Sequence, residues 1–305
     1  VPDSGIPTSK GVRSRALTGI ALSVCAYYIL DICDGISKMM TGDLPVVEIV
    51  AAQYLVNFLL APFLLGARNL KSLPVQPDLK LLIVRSLCIL ASSLCFMWAI
   101  KSLPLADVVA ISFVAPFIVT ALAAVFLGET NRILRWIGCG VSFIGTMVIL
   151  RPGIEVDVVT ALLPLGYALF FAIYLVMTRY ASARHNARTL LGLNGLVGGP
   201  IVLLLLPVIG ILHTGLDFGM LIAIGLVTLL AHLLIIQAYS MAPASLLAPF
   251  QYLEILGATA VGYIMFNEMP DAWAWAGITL IIVTSALVTW WEARSPRHNH
   301  AESGS

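Results

Sequence analysis

The chain has 305 residues, of which 60% are hydrophobic and 11% charged, with a formal net charge of +1 and a mean hydropathy of +0.98. Charged residues make up about a quarter of a soluble globular domain, so this composition excludes that class and specifies an integral membrane protein. A net charge so close to zero leaves no broad basic footprint, and no nucleic-acid partner is expected.

A polar tail over residues 1–16 is followed by ten apolar segments near 17–38, 45–66, 79–100, 104–127, 134–150, 158–179, 189–211, 218–239, 244–266 and 273–291, and a second polar tail covers 294–305. Each segment has roughly the 17–25 residues needed to cross ~30 Å of hydrocarbon at 1.5 Å per residue. Lipid offers the backbone no partners, so the segments are read as helices. Lys10, Arg13 and Arg15 ahead of the first segment mimic a signal peptide, but Asp31, Asp34 and Lys38 within it, and the spans behind it, argue against cleavage. With the N-terminus cytoplasmic, that side carries Lys10, Arg13, Arg15, Arg68, Lys71, Lys80, Arg132, Arg135, Arg179, Arg184, Arg188, Arg294 and Arg297, against Lys38, Lys101 and Arg151 opposite. The positive-inside bias therefore places both termini in the cytoplasm. Trp98, Trp136, Trp273, Trp275, Trp290 and Trp291 sit near segment ends, where an amphipathic ring prefers the interface.

Charges near the bilayer centre cost about 2.5–3.5 kcal/mol each on insertion scales, so Asp31, Asp34, Arg85 and Glu254 are expected to face the protein interior. Tyr27, Asp31, Asp34 and Lys38 recur at steps of four, three and four, forming one stripe of the first helix. The stripe either lines an aqueous path or forms a buried network, Asp34 with Lys38 and Asp31 with Arg85. In the ninth segment Gln251 and Glu254 share a face just after Pro249, whose ring removes a backbone donor, and Pro116 has the same effect in the fourth. Glu254 is the leading candidate for handling substrate or a proton; its alternative is a satisfied structural carboxylate. His232 lies on a stripe with Thr228 and Tyr239, while Gln53, Asn57 and Asn194 suit hydrogen bonds between helices. Tyr27, Tyr28, Phe96, Phe113, Phe170, Phe171, Tyr174, Tyr239 and Tyr252 either line a cavity for a flat ligand or simply pack. Gly195 with Gly199, and Gly138 with Ser142, are small-residue steps for close packing within a monomer. Cys25, Cys33, Cys88, Cys95 and Cys139 lie in apolar runs without metal-ligand spacing.

The chain repeats itself. Residues 99–151 laid on 238–290, an offset of 139 (238 − 99), match Pro104 with Pro243, Glu129 with Glu268, Trp136 with Trp275 and Gly138 with Gly277. A repeat of five spans begins on one side of the membrane and ends on the other, so the second copy must be inserted upside down; residues 17–153 and 154–293 are read as the two halves. Inverted repeats typically hold a binding site near mid-bilayer and rock about it. The chain has no GxxxxGK[ST], HExxH or GxSxG motif, so an enzyme is not expected, and no cofactor is implied.

Pro104, Ala115-Pro116, Gly128-Glu129, Trp136, Gly138, Gly145 and Arg151-Pro152-Gly153, echoed in Pro243, Glu268, Trp275 and Gly277, resemble the EamA-type members of the drug/metabolite transporter superfamily. The second copy departs from that pattern with Glu254 where the first has Ala115 and Asn267 where it has Gly128. The resemblance implies an all-α membrane protein of ten helices in two inverted halves around a central cavity, acting as a secondary transporter in the bacterial inner membrane. The expected cargo is an amino acid, aromatic ones included, moved outward by alternating access. A nucleoside-like or vitamin cargo, a channel and an intramembrane lipid-modifying enzyme are the alternatives. Tyr27, Asp31, Asp34, Arg85, Phe170, Tyr174, His232, Tyr239, Gln251 and Glu254 are the expected substrate-binding residues, with an acid meeting an ammonium group and Arg85 a carboxylate.

Overall fold

The computed structural model describes residues 9–42, 44–72, 76–102, 108, 111–128, 133–150, 158–209, 215–266 and 272–294. The described residues are helical apart from short connections: α1 (Ser9–Met40), α2 (Val46–Ser72), α3 (Leu79–Ser102), α4 (Ala115–Leu127), α5 (Ile133–Leu150), α6 (Val158–Ala181), α7 (Ala187–Ile209), α8 (Gly215–Met241), α9 (Ala244–Leu247), a 3-10 stretch (Ala248–Leu253), α10 (Glu254–Phe266) and α11 (Ala272–Arg294). Among the described residues, seven stretches are long and apolar enough to cross a membrane, and Ala115–Leu127 and Trp275–Val288 are shorter apolar helices. Pro104, Glu129, Arg151, Pro152, Gly153, Asn267 and Glu268 lie outside the described residues.

The helices depart from the sequence reading chiefly at the start of α1 and inside two of the expected segments. Helix α1 starts at Ser9, within the expected tail, because Lys10, Arg13 and Arg15 are good helix formers and no proline interrupts them. The segments near 104–127 and 244–266 are not continuous helices. In the first, a turn at Phe113 and Val114 precedes α4; in the second, the 3-10 stretch precedes α10. The two interrupted segments resume helix at Ala115 and Glu254, the same repeat position (254 − 115 = 139). Phe113 and Tyr252 are likewise 139 apart, and they touch: the Tyr252 hydroxyl donates to the Phe113 carbonyl at 3.0 Å, with ring centroids 5.2 Å apart. Equivalent positions of the two repeats therefore meet at this contact.

The packing obeys the same exchange of repeats. Helix α1 packs on α8 as α6 packs on α3, α4 packs on α6 as α10 packs on α1, and the pairs α2 with α7 and α5 with α11 map onto themselves. At one end of the bundle Arg135 of α5 donates to Ser245 of α9, His185 meets Asp78, and Arg179 donates to the Tyr239 and Ser240 carbonyls at 3.1 and 3.3 Å. At the other end Met40, Val46, Met97, Ile100, Val202 and Leu221 form an apolar cluster.

Glycines bring α7 against α2. A Cβ on Gly195 would lie 2.6 Å from the Asn57 carbonyl carbon and oxygen, and one on Gly199 would lie 2.5 Å from the Phe58 side chain. The Gly195/Gly199 step thus packs within the chain. Because the obstacle at Gly195 is backbone, Gly195→Ala is expected to destabilise by about 1–3 kcal/mol. Gly140, with open space around it, should accept alanine with little loss. Thermal unfolding in detergent measures both, and equal effects would contradict the packing argument.

Candidate functional site

The interrupted segment between α9 and α10 carries Pro249 and Gln251 into the interior. Proline has no amide to donate, and the 3-10 geometry lets the Gln251 side chain turn inward. Gln251 is 3% exposed and its amide donates to Tyr27 at 3.0 Å and Tyr239 at 3.1 Å. Three residues expected at the site, from α1, α8 and the interrupted segment, are thereby joined.

One turn further, Glu254 opens α10 and lines a cavity with Phe96, Ser112, Pro116, Tyr167, Phe171 and Gln251. The N-terminal end of a helix favours a negative side chain there. Asp31 is 5% exposed and its Oδ2 has no hydrogen-bond partner. It lies against Gly257, where any Cβ would collide with that oxygen. Asp34 is half-buried, and Asp31, Asp34 and Glu254 are within electrostatic reach of one another and of Tyr167. Chemically this is a cluster of three acceptor side chains, suited to a positively charged donor such as an ammonium group. The cavity has room for about one water molecule in this conformation.

Arg85 does not reach Asp31. It projects from α3 toward α6 and α7, whereas Asp31 faces α10, so the ion pair considered from the sequence does not form. Its Nε donates to Thr178 at 2.7 Å, Nη1 to the Leu190 carbonyl at 3.1 Å and Asn194 Oδ1 at 3.0 Å, and Nη2 to Tyr174 at 3.3 Å. The guanidinium carbon sits 4.6 Å from the Tyr174 ring centroid. With the side chain 0% exposed, Arg85 acts as a positioning residue that ties three helices together, with uncharged partners throughout.

A ladder of rings links the two regions. Phe96 meets Tyr167 at 4.9 Å, Tyr167 stacks on Phe171 at 5.5 Å, Phe171 on Tyr174 at 6.1 Å, and Tyr174 meets His232 edge-on at 6.4 Å. Beyond it a second narrow cavity is lined by Gln53, Tyr54, Asn57, Ser93, Asn194, Thr228 and His232. His232 Nδ1 meets the Thr228 carbonyl at 2.9 Å. The expected stripe thus divides: Thr228 and His232 share this cavity, while Tyr239 belongs with Gln251. Phe170 stands outside the ladder, half-buried against the apolar core. Sequence reasoning missed Tyr167, although its spacing with Phe171 and Tyr174, four and then three residues, marks one helical face.

At the bundle end, His185 Nε2 donates to Asp78 Oδ2 at 2.9 Å, with Arg184 3.9 Å away. Partial burial would raise the Asp78 pKa, but the hydrogen bond and charge of His185 outweigh it and hold the carboxyl below its ordinary value. A depressed acid stabilises the fold above its unfolded pKa and loses that contribution as pH falls through the folded value. Asp78→Asn is therefore expected to cost at most about 1 kcal/mol at pH 7, with the gap from wild type closing below about pH 4. Thermal unfolding across pH tests this; a gap that persists in acid would refute it.

The EamA-like transporter family model matches residues 16–151 and 159–290. The chain is similar to the pseudopaline exporter CntI of Pseudomonas aeruginosa, 29% identical over 272 residues that cover 87% of this chain and 94% of that protein. It is 29% identical to a riboflavin transporter of Vibrio cholerae over 66% of this chain and 68% of the relative. An S-adenosylmethionine uptake transporter of Rickettsia conorii is 24% identical over 93% of this chain and 96% of its own. A solved crystal structure shares the fold, with a TM-score of 0.76 and 18% identity over 92% of this chain and 98% of the other.

Proposed function

We propose that this chain, which belongs to the EamA-like transporter family, carries an amino-acid-type metabolite outward across the bacterial inner membrane by alternating access. The observation that carries the reading is the group of Asp31, Asp34 and Glu254 beside Tyr167, close to where the two interrupted segments meet. Half-helices that begin inside a membrane are a recurrent way for carriers to build a central site. In this reading ten spans form two inverted five-span halves, and both termini are cytoplasmic. Contacts of Asp78 with His185 and of Arg135 with Ser245 support that arrangement by gathering alternate loops at one end, the end richer in Lys and Arg. The protein works as a monomer surrounded by lipid, and no cofactor takes part.

The carboxylates receive the cargo's ammonium group, Tyr27, Gln251 and Tyr239 frame it, and the stacked rings accommodate a flat side chain, which favours aromatic amino acids. A second cargo reading rests on the riboflavin and S-adenosylmethionine transporters among the relatives, since both compounds contain flat heteroaromatic rings that suit the same ladder. Counterflow in proteoliposomes tests the proposal. Vesicles loaded with an unlabelled amino acid are expected to accumulate the labelled form with saturable kinetics for at least one aromatic amino acid. Exchange of riboflavin alone would move the cargo to the second reading, and exchange of nothing in either panel would reject the carrier.

A further inference from the structure

The ladder separates two chambers of opposite electrical character. At the Tyr167 end Glu254 shares a cavity with Tyr167, and Asp31, against Gly257 of the same helix, and Asp34 stand close by; even with Lys38 one turn from Asp34, the formal charges of these four side chains sum to a negative value. At the Tyr174 end stands Arg85, whose partners are all uncharged. A sealed guanidinium without a carboxylate leaves its positive field on the adjoining cavity, which would disfavour a cation there. The cavity wall offers Gln53, Asn57 and Thr228, side chains able to donate to an anionic oxygen. Asn57 is 7% exposed and its amide oxygen has no partner, so nothing in the fold fixes which end of that amide faces the cavity. Tyr167 and Tyr174 are seven residues apart on one helix, which places the two poles roughly 10 Å from each other at 1.5 Å per residue.

We infer that the cargo is an elongated zwitterion, with its ammonium group among Asp31, Asp34 and Glu254, its carboxylate beside Asn57 and Thr228, and a flat middle lying along Tyr167, Phe171 and Tyr174. This deepens the carrier reading and rests on it for the opening of both chambers. A single α-amino-acid head group, whose charged groups are only about 3 Å apart at bonded distances, occupies one pole and leaves the other empty. Asn57 and Thr228 thereby become specificity-determining residues at a subsite distinct from the carboxylates.

The test uses a rigid probe, 4′-(aminomethyl)biphenyl-4-carboxylate, beside its amine-only and acid-only parents and phenylalanine, with thermal stabilisation of the purified full chain giving apparent affinities. The zwitterion is expected to bind at least tenfold more tightly than each of the other three. Glu254→Gln should weaken it at least tenfold. Asn57→Leu should weaken it about fivefold while leaving the amine-only probe unchanged, a split that general loss of stability does not produce. A zwitterion no tighter than the amine-only parent, binding of none of the probes, or equal effects of Asn57→Leu on both would overturn the assignment. Counterflow of amino acids without any preference for the long probe removes the two poles and keeps the carrier. Selective binding of the probe by a protein that exchanges nothing keeps the poles and removes the carrier.

Discussion

Glu254→Gln is expected to lower cargo counterflow by roughly ten- to a hundredfold while leaving the protein folded. A hydrogen bond to a charged group contributes about 1.5–3 kcal/mol, and each 1.4 kcal/mol is tenfold in affinity. The glutamine keeps the shape and a single acceptor, so Gln251, Tyr27 and Tyr239 should retain their bonds. Stability should hold or rise slightly, because removing a charge from the membrane interior relieves a desolvation cost. Glu254→Asp keeps the charge and should recover part of the flux. If instead flux and unfolding temperature fell together in Glu254→Gln, and Glu254→Asp recovered neither, the carboxylate would be structural.

Replacement of Arg85 should have the opposite signature. Arg85→Leu leaves Asn194 Oδ1, the Leu190 carbonyl, Thr178 and Tyr174 facing an apolar side chain. Each loses a hydrogen bond to a charged donor, about 1.5–3 kcal/mol apiece. Asn194 Oδ1 still accepts from Ser86, Thr178 still donates to the Tyr174 carbonyl and the Tyr174 hydroxyl still accepts from Asn194 Nδ2, and the loss of a buried charge offsets part of the rest. A net loss of about 3–5 kcal/mol is expected, sufficient to lower folded yield and unfolding temperature sharply. Arg85→Lys should be intermediate, since an ammonium keeps the charge but lacks the planar fork. The double variant Arg85→Leu with Asn194→Leu should cost less than the two single changes together, because the pair shares one network. Strict additivity would show that Arg85 and Asn194 do not act through each other.

Much of this was legible in the chain and part was not, for physical reasons. Composition and segment length fix a helical membrane protein, because hydrocarbon thickness leaves few alternatives. The carboxylates announce themselves through the cost of placing charge in lipid. Arg85 was equally visible, yet its partners were not: direction across a bundle depends on which faces pack together, and α3 turns Arg85 toward α6 and α7. That Phe171, and not Phe170, joins the ring ladder was hidden for a related reason. Adjacent residues point about 100° apart on a helix, and a helix apolar on all sides gives no pattern that says which face looks inward. The interruption at Ala115 and Glu254 was hinted at by Pro116 and Pro249, but its equivalence in the two repeats emerged only from the helix starts and the contact of Phe113 with Tyr252. The offset of 139 that barely registers in residue identities is sharp in three dimensions, because packing constrains backbone position more tightly than side-chain type.

The central claim is that the Glu254 cavity opens to each side of the membrane in turn. The direct measurement uses Ser112→Cys, since Ser112 lines that cavity and is 7% exposed, in a chain whose native cysteines are replaced, and exposes oriented proteoliposomes to a membrane-impermeant thiol reagent from one face or the other. Alternating access predicts that reagent from either face alone modifies the introduced thiol, with no accompanying ionic conductance. Modification from neither face, from one face only, or from both together with a steady conductance would contradict it.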